Sequence, residues 1–252
     1  MIAVSRRAVM DSRKIRIEMN SGTSQTSSLK RFIKGIPFVW LTAARIAGRL
    51  NFPGSGSFWE NEYREGRTSG PGSYGRLAEF KAEILNEFVR TKNIRTVIEF
   101  GCGDGAQLQL ASYPEYVGID VAATSINQCS ARFAHDPSKR FYLADALPKN
   151  SGLFDLALSL DVIYHLVENS VFDAYMRRLF SAAERFVVIY ASNHDARAHA
   201  PHVRHRKFTA WIAKNERDWL QVGFVPNRFP YDPNRPDETS HSDFYFFARQ
   251  PR

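Results

Sequence analysis

The sequence predicts an α/β fold: one mostly parallel sheet flanked by helices, with a C-terminal antiparallel hairpin and an N-terminal extension. Three observations predict it. From residue 96 onward, short apolar runs of strand character alternate with segments of helical period. After residue 208 the alternation stops, and a helix precedes two strand-like runs joined by a Pro/Asp/Asn-rich loop. A hairpin of that kind adds an antiparallel strand at one sheet edge. The third observation is charge. Residues 1–50 hold ten Lys/Arg and two acids, the remaining chain holds 24 of each, and the net charge of +8 therefore belongs to the N-terminal extension. A chain of 252 residues, 44% hydrophobic and 24% charged, has the length and composition for one such domain and an extension.

In chain order, residues 1–28 read as a disordered basic arm ending in the polar run Ser21–Ser28, which has too little apolar surface to order itself. Residues 29–57 read as an amphipathic basic helical segment and a hinge. Leu29, Phe32, Ile33, Ile36 and Trp40 share a loose helical face, interrupted at Pro37. The segment is an extra helix packed on the domain, the preferred reading, or a helix making peripheral membrane contact through residues 29–50. The most apolar run, residues 36–44, is shorter than the roughly 20 residues that span a bilayer. Two cysteines without metal-type spacing, and no secretory pattern at the start, point to free thiols and a cytoplasmic, membrane-associated at most, location.

Residues 58–252 form the domain. The stretch Asn51–Ser57 is read as hinge and Gly66–Gly75 as flexible, and between them Phe58–Tyr63 is aromatic and acidic. Leu77, Phe80, Ile84, Leu85 and Phe88 fall on one face of a helix. Strands are expected at 96–100, 116–120, 140–143, 154–160 and 185–190, with helices near 105–112, 125–133 and 170–183. A helix over 208–220 and strands at 223–229 and 243–249 complete the domain.

The first strand leads into Glu99-Phe100-Gly101-Cys102-Gly103-Asp104-Gly105. Glycines permit a sharp turn and close approach of a ligand, and a Rossmann-like nucleotide-cofactor site follows. The string also fits Gly-x-Gly-x-x-Ala, so a NAD(P)-dependent oxidoreductase is an alternative. Glu99 argues against it, because a carboxylate there repels a pyrophosphate and attracts a cation. Asp120 ends the second strand, where a carboxylate accepts ribose hydroxyls, and Asp145 follows the third, where one accepts an adenine amino group. Three acids at successive strand ends describe a site for a nucleoside carrying positive charge.

At these residues, and over roughly 58–252 including the terminal hairpin, the chain resembles the class I S-adenosylmethionine-dependent methyltransferases. The resemblance implies S-adenosyl-L-methionine as cofactor. Glu99, Gly101 and Gly103 then line its methionine part, with Cys102 as a small buried loop residue, Asp120 on the ribose and Asp145 on the adenine. Asp161, after the fourth strand, shapes the pocket, and Tyr63 and Tyr74 belong to a lid hinged at Gly66, Gly70, Gly72 and Gly75. The interval between Asp145 and the fourth strand is too short for the helix usual there.

The position after the fourth strand, residues 159–166, faces the methyl group in that family. His165 is the candidate general base for an alcohol acceptor; packing against adenine or capping the next helix is the competing role. The segment holding Arg197, His199, His202, Arg204, His205, Arg206 and Lys207 suggests an anionic acceptor or a solvated loop. His202 and His205 lack acidic or Cys partners nearby in sequence, so no metal is expected. The expected activity is methyl transfer to a small-molecule or glycan acceptor, at oxygen. An RNA methyltransferase is the alternative favoured by the basic arm. The neutral domain and the lack of an Asn-Pro-Pro-Tyr-type motif argue against nucleic acid.

Overall fold

The computed structural model describes residues 52–148, 150–198 and 200–251. The basic arm, the amphipathic segment and its membrane contact lie outside the described residues. Two helices open the described chain: α1 (Ser55–Arg64) and α2 (Gly75–Thr91). Then β1 (Thr96–Phe100), β2 (Glu115–Asp120), α3 (Ala123–Arg132), β3 (Lys139–Leu143), β4 (Phe154–Leu160), α4 (Asn169–Ala182) and β5 (Ala183–Ala191) alternate. A two-residue ladder, β6 (Ala196–Arg197) and β7 (Arg204–His205), precedes α5 (Phe208–Asn215) and the hairpin β8 (Trp219–Val225) and β9 (Asp243–Arg249).

Seven strands form one sheet in the order β3-β2-β1-β4-β5-β9-β8. The first five are parallel to their neighbours, whereas β9 pairs antiparallel with both β5 and β8. Helices cover both faces, which is why the central strands are apolar at nearly every position. Ile98, Phe100, Met176, Leu179, Phe180 and Phe247 pack on one side. Val97, Leu156, Leu158, Leu85 and Phe244 pack on the other. On α2 the expected stripe delivers Leu77, Phe80 and Leu85 to the interior. The strand order reverses between β1 and β4, and the crevice at their carboxyl ends is where an open α/β sheet binds ligands.

Four expectations change. The stretch over 105–112 holds a 3-10 turn at Gln107–Leu110 instead of an α-helix. The Asn86 side chain ends it, donating to the Leu110 carbonyl at 2.9 Å and accepting the Ser112 N–H at 2.8 Å. The helix expected to run to 220 stops at Asn215, whose side chain donates to the Trp211 carbonyl at 2.8 Å, and Trp219 already pairs with Arg249. The following strand ends at Val225 because Pro226 lacks a ladder N–H. Finally, Ser55–Ser57 is the first turn of α1 and not hinge. Glu168 accepts the Ser55 N–H at 2.9 Å and the Ser55 hydroxyl at 2.6 Å.

Candidate functional site

β1 opens into a loop in which Gly101, Gly103 and Gly105 all have positive φ, at 83°, 57° and 74°. A Cβ at Gly101 would stand 2.5 Å from Val162 Cγ2, and one at Gly103 would strike Ser69 and Tyr63. The first two glycines therefore answer to both backbone conformation and close packing. Glu99 is 4% exposed. The Tyr116 hydroxyl donates to it at 2.7 Å, yet burial outweighs that bond and pushes its carboxyl up to about 7. Asp120 is buried too, which raises its pKa. Its two oxygens accept one backbone N–H each, from Gly103 at 3.0 Å and Ala122 at 2.9 Å. Carboxylate oxygens accept more than one bond, so Asp120 orders the loop and keeps acceptor capacity.

Glu99, Gly101, Cys102, Gly103, Asp120, Asp145 and Asp161 line one cavity of about 1280 Å³. Single-ligand pockets run to roughly 1,000 Å³, so this cavity has room for a cofactor and a second small molecule. Asp145 stands at its rim with a fully exposed side chain, 3.7 Å from Arg178. Among the described residues of the interval before β4, a 3-10 turn, Ala144–Ala146, stands where a helix would be usual. Tyr63 is buried in the wall, its hydroxyl 3.1 Å from Ser69 Oγ. Tyr74 is not part of the lining. Its hydroxyl donates to Asp104 Oδ2 at 2.6 Å, on the outer side of the loop. Asp104 also accepts the Ser69 N–H at 3.0 Å, while Ser69 Oγ accepts the Asp104 N–H at 2.9 Å. The stretch 66–75 expected to be flexible is thereby stitched to the glycine loop.

After β4 the chain turns at Asp161, a non-glycine residue at φ 59°. Its N–H donates to the Tyr190 carbonyl at 2.8 Å. Its side chain accepts Lys81 Nζ at 2.8 Å, Tyr164 Oη at 3.0 Å and Ser242 Oγ at 2.9 Å. Asp161 thus faces the cavity with both oxygens engaged, holding the turn that presents His165. Lys81, 1% exposed, reaches it from the middle of α2. His165 Nδ1 lies 3.2 Å from the His202 carbonyl. A carbonyl only accepts, so Nδ1 carries the hydrogen and Nε2 keeps its lone pair. Trp59 meets the ring edge-on at 4.8 Å. Burial pushes the imidazole down to about 4.

In the cation-rich segment, read as meeting an anionic acceptor or as a solvated loop, two guanidiniums are turned onto backbone carbonyls. Arg206 donates to the carbonyls of Leu166 at 2.7 Å and Val167 at 2.9 Å, and Arg204 to that of Val167 at 3.1 Å. Buried carbonyls after the 3-10 turn Ile163–His165 need donors, and the two guanidiniums supply them. From the other side, Ser55 Oγ lies 2.7 Å from the His165 carbonyl. Farther along α1, Glu60 accepts the Thr124 N–H at 3.2 Å and its hydroxyl at 2.6 Å. The helix is pinned across the crevice at both points.

Sequence reasoning missed Lys81, Ser69 and His241 as cavity residues. Lys81 carried a signal: it stands four residues after Leu77 and four before Leu85, on the buried stripe. Among the described residues no three His, Cys, Asp or Glu side chains are grouped to hold a metal, and no helix is long and apolar enough to cross a membrane.

A loop that excludes Cβ atoms, buried carboxyls at two strand ends and a cavity with room for two molecules fit a nucleoside cofactor with a cationic amino-acid end. Residues 97–185 match a family model described as a methyltransferase domain. The mouse (Mus musculus) EEF1A lysine methyltransferase 4 is 31% identical over 107 residues, covering 40% of this chain and 41% of that protein. The chain thus spans less than half the length of that relative. Among solved structures, the N-methyltransferase NodS of Bradyrhizobium japonicum WM9, in complex with S-adenosyl-L-homocysteine, is 19% identical. It superposes over 70% of this chain and 88% of its own with a TM-score of 0.52. Magnesium protoporphyrin IX methyltransferase of Synechocystis PCC 6803 is 16% identical over 69% of this chain and 85% of its own, with a TM-score of 0.51. At these identities the likeness is one of fold. Residues 97–185 thus carry a methyltransferase domain, and the fold around it, with the glycine loop at its switch point, is the one these methyltransferases share.

Proposed function

We propose that this protein methylates a hydroxyl oxygen of a small-molecule or glycan acceptor, with His165 as general base. The observation that carries the reading is the His165 contact in the cavity wall: Nδ1 lies 3.2 Å from the His202 carbonyl, which accepts only and so calls for a hydrogen on Nδ1, and Nε2 has no partner among the described residues. A base oriented by a third group and open to the acceptor is the arrangement that removes a proton as a new bond forms. S-adenosylmethionine supplies an electrophilic methyl group. Glu99 and the glycine loop would hold its amino-acid end, Asp120 its ribose and Asp145 its adenine. Lys81 and Asp161 fix the turn that carries His165, and α1 closes the crevice against water. The free, buried thiols of Cys102 and Cys129 suit a cytoplasmic setting.

The test is His165→Asn, which removes the base and keeps a polar side chain of similar reach. Turnover should fall on the order of 10²–10⁴-fold, while calorimetric affinity for S-adenosylmethionine changes less than twofold. Wild-type turnover in the variant would remove His165 from the chemistry.

A further inference from the structure

The half of the cavity beyond the glycine loop has an unusual wall. Trp59, Tyr164, His165, His202, Tyr231 and His241 line it. Their rings are fixed by one another. His202 stacks on Phe58 at 4.4 Å and parallel to His165 at 5.6 Å, and Tyr231 stacks on His241 at 3.8 Å. The charged side chains on this half are closed on internal partners. Lys81 and Asp161 are 2.8 Å apart, and Glu62 lies 2.6 Å from Arg67. The guanidiniums of Arg204 and Arg206 are turned onto backbone carbonyls. Burial holds His165 and His205 down to about 4 and lowers His202 and His241 as well, so at neutral pH the imidazoles are uncharged. The chamber therefore offers flat rings and neutral hydrogen-bonding groups, and among the described residues no unpaired charge.

That chemistry selects among acceptors. A carboxylate or phosphate entering here would lose its hydration with no cation to receive it, and an ammonium would find no free carboxylate. A neutral aromatic ring loses little hydration and gains ring–ring contact. We propose that the chamber takes an uncharged phenol, its ring against the Trp59–His202 wall and its reacting hydroxyl on His165 Nε2. This deepens the oxygen-methylation reading and rests on it. The phenol oxygen forms the new C–O bond with a lone pair, its proton goes to Nε2 and then to solvent, and the carbon–sulfur pair of electrons leaves with a neutral thioether. A weakly basic imidazole suits this substrate, since a phenol with a pKa near ~10 gives up its proton far more readily than an alkyl alcohol.

The test uses the full chain and three probes that differ in charge at one position: 4-methylphenol, 4-hydroxyphenylacetate and tyramine, with methyl glucoside as a neutral non-aromatic control. Binding is followed by calorimetry on the protein saturated with S-adenosylhomocysteine, and methylation by transfer of label from S-adenosylmethionine. The expected result is binding and methylation of 4-methylphenol, with at least tenfold weaker binding of both charged analogues and of the glucoside. In His241→Leu and Trp59→Leu, binding of 4-methylphenol should weaken several-fold while S-adenosylhomocysteine binding is kept. Equal or tighter binding of a charged analogue or of the glucoside, or no binding of 4-methylphenol by the cofactor-loaded protein, overturns the phenol assignment alone. Failure to bind S-adenosylmethionine or S-adenosylhomocysteine overturns the transfer reading beneath it.

Discussion

Glu99 is a carboxyl near half-protonation at pH 7, because burial raises it to about 7 despite the bond from Tyr116. An ammonium placed beside it restores the carboxylate, so cofactor binding should release part of a proton. The sign follows: below pH 7 that proton must be displaced, and affinity should fall by up to about tenfold per pH unit. Calorimetry at pH 7 in buffers of different ionisation enthalpy reads the proton directly; an enthalpy that ignores the buffer would take Glu99 away from the ammonium. Asp120 makes a second residue-scale prediction. Asp120→Ala removes acceptors for Gly103 and Ala122 as well as for the ribose, and S-adenosylmethionine binding should weaken by roughly 1.5–3 kcal/mol with the sheet intact by circular dichroism. The positions of Glu99 and Asp120 were legible in the sequence because both stand at the ends of buried strands, the first just before the glycines. Asp161 was legible as a position and not as a role. Its partners Lys81 and Ser242 lie 80 and 81 residues away in the chain, a separation that local pattern does not encode. Tyr74, assigned to the lid by the resemblance, donates its hydroxyl to Asp104 of the glycine loop, a contact that no local pattern encodes.

At the scale of elements, β1, β4 and β9 begin and end at the residues their apolar runs mark, since buried strands declare themselves by composition. The misread elements are those whose limits a side chain or a pairing partner decides: Asn86 at the turn after the glycine loop, Asn215 at the end of α5, and Pro226 at the end of β8. α1 is the most consequential of them. Read as partly hinge, it is instead a strap fixed by Ser55 to Glu168 and by Glu60 to Thr124. Glu60 carries two of these bonds, and its carboxyl is held below the ordinary range by the Thr124 hydroxyl. Glu60→Ala should free the middle of the strap without touching the cavity wall. The expected outcome is a several-fold faster dissociation of S-adenosylhomocysteine in stopped-flow, equivalent to about 1 kcal/mol, and faster amide exchange over 55–64. Unchanged rates would mean that α1 does not gate the crevice.

The molecule as a whole gathers histidines in one place. His165 and His205 are held down to about 4, and His202 and His241 are also lowered, with burial the first cause in each case. Around His165 stand the His202 carbonyl and Asp161, which favour its cation, and the His202 and His205 rings, which oppose it. In the unfolded chain the same residues titrate near ~6.5. The unfolded state therefore binds more protons than the folded state between about pH 6.5 and 4, and stability rises with pH through that window. The contribution is complete above the unfolded pKa and is lost as pH falls toward the folded one. Glu99, raised to about 7, works in the opposite direction over the same range, so the test is the difference between proteins: from pH 7 to pH 5 the stability measured by urea unfolding should drop by about 1–2 kcal/mol more in the wild type than in His205→Gln. Activity should behave differently over the same range. His165 remains neutral down to about pH 4, so turnover of the protein that is still folded should show no acidic limb at 6.5. Its dependence on cofactor concentration should steepen instead, as Glu99 takes up its proton. Measuring kcat at saturating cofactor alongside the urea midpoint separates the two effects. A kcat that falls through pH 6.5 together with the midpoint would place an ordinary, solvated histidine in the chemistry and contradict the buried base.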